Sequence, residues 1–166
     1  TGAPPETVEE VWSEAFSAAR GSAVAETQIR AARGRWLLGI ERVGEAVTEL
    51  AEGVAQLTAQ GMTELASTTG VDLARAYLLA GRALDAAETA ESCLPRLEAL
   101  GPAAATLVGG CRFVLANAMS ALGEGEEAAA EFGRLAALHG SYGDVEGAAG
   151  WYEAAGELLT ADDLDE

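Results

Sequence analysis

Three stretches of this chain carry the same apolar stripe. Val43, Val47, Leu50, Val54 and Leu57 fall at i, i+4, i+7, i+11 and i+14, a spacing that places side chains on one face of an α-helix. Leu84, Ala87, Ala90, Leu94 and Leu97 form a second stripe; Leu107, Cys111, Leu115, Ala118 and Leu122 form a third. No segment alternates apolar and polar residues as a half-buried strand would. The pattern predicts an all-α protein in which each helix turns one face to a neighbour.

The punctuation between stripes is periodic. Gly21, Gly61, Gly101 and Gly140 each follow an Ala- or Leu-rich run and are spaced 40, 40 and 39 residues apart. A glycine just past a helix can take the left-handed conformation that closes the helix end. Small residues repeat in a second phase at Gly34, Ala74, Ala116 and Ala155, and in a third at Ala46, Ala86 and Ala128. Between these phases lie the turn signals Ala80-Gly81-Arg82 and Leu122-Gly123-Glu124-Gly125. Each unit therefore reads as helix, tight turn, helix, closing glycine. A fixed period of this length is the signature of a solenoid.

The predicted units are a half unit over 1–21, full units over 22–61, 62–101 and 102–140, and a half unit over 141–166. They form one domain of about eight helices, a stack of antiparallel helical hairpins. Thr7 and Glu10, after Pro4-Pro5, have the spacing of a capping box and predict a helix running to about Ala19. Asp144 to Thr160 is the first helix of the last unit, with 162–166 in the turn after it. The opening Thr1, in place of Met, leads us to expect a fragment of a longer protein. A solenoid cut in mid-unit exposes apolar end faces, which predicts self-association.

Composition narrows the function. Ten basic residues, all Arg, stand against 27 acidic ones, for a net charge of −17. Such a surface repels nucleic acid and anionic membrane, because phosphate binding needs clustered cations. No run of 18 apolar residues suggests a transmembrane span. The location expected is cytoplasmic. Cys93 and Cys111 are too few for a disulfide scaffold or a zinc site and are expected as buried thiols. His139 is the only histidine, sits at a helix end, and has no Ser/His/Asp or Cys/His set around it. The acid pairs Glu9-Glu10, Glu126-Glu127 and Asp162-Asp163 fall at helix ends or turns, where acids are common. No GxxxxGK[ST] phosphate loop occurs. These absences argue against an enzyme, a metal and a cofactor.

The repeat resembles the tetratricopeptide (TPR) family, whose unit has Trp, Leu-Gly and Tyr in its first helix, Ala and Phe in its second, then Pro. Leu115-Ala116, Met119, Ala128 and Phe132 match best; Leu73-Ala74, Tyr77 and Ala86 match next. Trp151, Ala155 and Leu158 take the first-helix slots of the last unit, and Gly34, Leu37, Ala46 and Leu50 those of the first full unit. The unit is longer than the family's usual ~34 residues, and the terminal Pro is missing. In this the chain is similar to long-repeat arrays of bacterial signal-transducing ATPases and transcription regulators.

The resemblance implies a right-handed superhelix whose first helices line a concave groove. Carried across, its groove positions include Gln28, Arg35, Leu38, Arg75, Leu78, Phe113, Asn117 and Tyr152. One slot holds Arg35, Arg75 and Asn117 in successive units, a partial ladder that can grip a carboxylate, unless the arginines pair with local acids. Arg30 and Arg33 share a helix face and read as solvated. Phe113 and Tyr152 are aromatic anchors or core; Trp12, Trp36 and Trp151 are inter-helix packing. The function expected is non-catalytic protein or peptide binding. The alternatives are a regulatory or sensor domain of a larger ATPase or transcription regulator, and a homotypic assembly module.

Overall fold

A computed structural model describes residues 5–162. Among them, eight α-helices follow one another with no strand: α1 (Pro5–Ala19), α2 (Ala23–Gly39), α3 (Val43–Ala59), α4 (Thr63–Leu79), α5 (Ala83–Ala99), α6 (Ala105–Leu122), α7 (Gly125–Ser141) and α8 (Val145–Asp162). Each packs antiparallel on the next. The result is an α-solenoid of hairpins, with α2, α4, α6 and α8 as first helices.

The repeat that organises the backbone is half as long as the glycine spacing suggests. Positive φ occurs at Gly21, Glu41, Gly61, Gly81, Gly101, Gly123 and Gly143. Successive intervals are 20, 20, 20, 20, 22 and 20 residues, so each helix from α1 to α7, not every hairpin, is followed by a left-handed residue. The extra two residues accompany a short 3-10 turn, Gly101–Ala104. The amide of the residue after the turn bonds five back: Arg42 to Leu37, Met62 to Leu57, Arg82 to Tyr77, Glu124 to Met119 and Asp144 to His139, at 2.9–3.1 Å. Together with the left-handed residue's own bond three back, this is the Schellman closure.

The same five residues then start the next helix. Their carbonyls accept from Ala46, Ala66, Ala86, Ala128 and Ala148. All five alanines are buried, because the first turn of each helix is pressed against the one before. A larger side chain there would push the hairpin open.

Four details depart from the sequence reading. Gly140 lies inside α7, and Gly143 makes the turn instead; the helix runs on through Ser141 because Gly143 provides a left-handed site three residues later. Thr7 is in the first turn of α1, not at its N-cap, since the helix starts at Pro5, whose fixed φ suits a first helical position. Leu84 and Leu122 are exposed, being at helix ends beyond the facing helix. Asp162 closes α8 and is not in a turn; 163–166 lie outside the described residues.

The apolar stripes meet as expected. Leu50 packs with Leu73 and Ala76 between α3 and α4, and Ala90, Leu97, Cys111 and Leu115 pack among α4, α5 and α6. Cys93 and Cys111 are free and buried. Burial pushes the Cys111 thiol up to about 12 and raises Cys93. At the amino-terminal end, Trp12 of α1 meets Trp36 of α2 with ring centroids 6.0 Å apart.

An ion-pair buckle recurs between first and second helices. Arg30 bonds Glu49 and Glu52 of α3 at 3.0 and 2.5 Å; Arg33 bridges Glu49 and Glu9 of α1. Two units on, Arg112 bonds Glu131 at 2.7 Å and also Glu98. In the unit between, Gly70 and Thr89 hold these two positions, and a Cβ on Gly70 would lie 2.4 Å from Cys93 Sγ. Arg30 and Arg33 are thus tied to neighbouring helices and not simply solvated. Gly101–Leu122 is long and apolar enough to cross a membrane, yet here α6 is wedged among α4, α5 and α7 with Arg112 near its middle.

Glu41 is the one described non-glycine residue with positive φ. Glu41→Gly removes about 1 kcal/mol of backbone strain and should raise the thermal midpoint. Gly61→Ala, at the equivalent turn, should lower stability by a similar amount. Arg112→Leu leaves the 5% exposed Glu131 without its best partner and should cost about 3 kcal/mol. Denaturant melts of the three variants check these signs.

Candidate functional site: the inner face of the first helices

The first helices lie on the inner side of the solenoid. α4 packs directly on α6 and approaches α2, while no comparable packing joins α3 to α5 or α5 to α7. Helices that touch each other across units are on the shorter, concave side. Between α6 and α8 the approach is instead carried by two side chains, Phe113 and Trp151, whose rings meet edge to face at 5.6 Å.

That spacing leaves a crevice of about 570 Å³. One wall is the face of α6 that carries Ala105, Thr106, Gly109, Gly110 and Phe113; the other is the α7–α8 corner with His139, Tyr142, Asp144 and Trp151. Gly109 and Gly110 keep the α6 wall flat. Trp151 is held in place by Phe132, stacked at 5.7 Å and 8°, and by His139 at 6.1 Å. Phe113 is 42% exposed and Tyr142 59%, so the aromatic surface is open to solvent.

The corner is fixed by polar contacts. His139 Nδ1 lies 2.7 Å from Asp144 Oδ2. The backbone amide of Gly147 donates to Asp144 Oδ1 at 3.0 Å, capping α8. These two bonds hold the Asp144 carboxyl below the usual carboxylate range. Since an ionised carboxylate only accepts, Nδ1 carries the proton of this hydrogen bond. Among the described residues no group of three His, Cys, Asp or Glu side chains is placed to hold a metal.

The residues singled out from the sequence fall into three places. Arg35, Arg75 and Asp72 form one cluster on α2 and α4. Arg35 Nη1 is 3.3 Å from Asp72 Oδ2; Arg75 adds a favourable charge to Asp72 without an ion pair of its own. Asn117 uses its amide nitrogen on the Phe113 carbonyl at 2.7 Å. Of the ladder's three rungs, Arg35 and Asn117 are engaged within the chain, and Arg75 is exposed with no ion pair among the described residues. Leu38 and Leu78 are half-buried against the α3–α4 and α4–α6 cores. Gln28 and Tyr152 are exposed on α2 and α8, and neither lines the crevice. Phe113 alone of the eight is in the crevice wall.

His139, Tyr142, Asp144 and Trp151 were not read as site residues. Trp151 is at once the packing residue expected and a wall of the crevice. The other three converge through the Gly143 turn, three residues beyond the glycine taken to end the helix. A His five residues before an Asp across a glycine turn was the signal present in the sequence.

This architecture is that of a TPR-like helical-repeat solenoid, a fold that commonly mediates protein–protein interaction. It is similar to a solved structure of nearly identical TPR-like repeats from a Podosopora anserina protein assigned as a kinesin light chain, with a TM-score of 0.71 and 21% identity over 94% of this chain and 82% of that one. No protein-family model and no curated protein matches the chain.

Asp72 provides a test of the charge reading. Desolvation on α4 raises its pKa despite the hydrogen bond from Arg35. A carboxyl raised in the folded state contributes stability below its unfolded pKa and loses it as pH rises through the folded value. Asp72→Asn should therefore raise the thermal midpoint at pH 7, with the gain closing below about pH 4. A lower midpoint at pH 7 would show that the Arg35 pair outweighs burial.

Proposed function

We propose that the chain is a non-catalytic scaffold that receives a protein or peptide along the inner face of α2, α4, α6 and α8. The observation that carries this reading is the open, aromatic crevice between α6 and α8. A volume of 570 Å³ is in the ordinary range for a ligand site, about 300–1,000 Å³. Aromatic side chains fixed by their neighbours are typical binding anchors, because little entropy is lost when they are covered.

Beyond the crevice the same face has two characters. The α2–α4 half presents Gln28, Arg35 and Arg75, with Leu38 and Leu78 beneath; the α6–α8 half presents Phe113, Asn117 and Tyr152. An extended segment lying along it would meet a guanidinium at one end and an aromatic wall at the other.

Selection of peptides from a random displayed library against the purified chain tests this. Binders should lose at least tenfold in affinity for an Arg75→Glu, Phe113→Ser double variant, and remain unchanged for Glu88→Lys on the exposed side of α5. Binders indifferent to the double variant, or none at all, would refute the inner face as a docking surface.

A further inference from the structure

We propose that the α6–α8 crevice takes an organic cation, the alkylammonium or guanidinium end of a Lys or Arg side chain on a basic partner segment. This deepens the binding reading above and rests on it for the source of the cation.

Three features of the crevice favour a cation with a hydrocarbon stem. The rings of Phe113, Trp151 and Tyr142 line it, and aromatic faces attract cations through their quadrupoles. Asp144 is at the same corner with its carboxylate ionised. No Arg is among the lining residues and the chain has no Lys; the basic group already in the crevice is His139, on Asp144 Oδ2.

Other ligand classes fit less well. An anion would be expected at the start of α8, but Asp144 already occupies that helix end through Gly147 and repels a second negative charge. A wholly apolar group would cover the rings yet gain nothing from the negative charge of Asp144 beside them. The charge of the whole chain, −17, points the same way. Seven of its ten arginines are already in ion pairs among the described residues, so the surrounding field is negative and draws in a basic segment.

The test is an NMR titration of the isotope-labelled 166-residue chain at constant ionic strength. The probes are the N-acetyl N-methylamides of lysine and arginine, with that of norleucine as the uncharged counterpart. The cationic probes should give saturable shifts centred on the Trp151 indole and the Gly109 and Gly110 amides, with the norleucine probe at least threefold weaker. Phe113→Leu and Asp144→Asn should each weaken the cation about two- to fivefold. Both changes spare the fold: Phe113 is exposed, and Asn caps a helix as well as Asp.

Equal binding of norleucine, shifts scattered over the acidic surface, no saturable shift, or indifference to both variants would each overturn the proposal. Library peptides that need the inner face, beside a silent lysine probe, would overturn the cation alone. Cation shifts without any groove-dependent peptide would overturn only the peptide-binding reading.

Discussion

The structure depends on one backbone constraint: a left-handed residue every 20 positions, with one interval of 22. A helix of 17 residues leaves its last carbonyls without partners. The left-handed residue turns the chain back so that two amides reach those carbonyls, and the following residue opens the next helix at once. The turn is so tight that the next helix must bring an alanine against the previous one five residues later. Hairpin geometry, helix length and the buried alanine column follow from this closure. Chain entropy is restrained where a three-residue loop would otherwise add freedom.

The constraint also sets where the inner face opens. Turns of nearly equal length, with the 3-10 turn before α6 as the exception, keep the helices in register, so that α4 faces α2 and α6 across units. Arg112 then reaches both Glu98 and Glu131 and binds α6 to the helices on either side. Beyond α7 the corner is Gly143 and Asp144. There the helix cap, the histidine and the tryptophan share one site, and α8 stands off from α6 by the width of two aromatic rings. The crevice is thus a product of the packing and does not depend on a loop insertion.

Much of the fold was legible because helices announce themselves by period. The stripes, the paired helices and most turn glycines could be read directly. Alanine at 46, 86 and 128 was visible as a repeat, though its reason, contact across the turn, was not. The 20-residue module was hidden by Glu41, which does glycine's work with a side chain, and by Gly140, a glycine that stays helical. The site was less legible. Phe113 was found by its slot in the repeat. His139, Tyr142 and Asp144 come together only when the turn is placed at 143, since a shift of three residues rotates a helix face by most of a turn. Arg35 and Asp72 are 37 residues apart, and only the stacking of α2 on α4 makes them neighbours.

The measurement that bears most directly on this account is residue-resolved hydrogen exchange of the native chain. If the left-handed closures hold the solenoid together, the amides of Arg42, Met62, Arg82, Glu124 and Asp144 will exchange orders of magnitude more slowly than an unstructured chain, as helix-interior amides do. Exchange of these five at unprotected rates, with the helix interiors still protected, would contradict it.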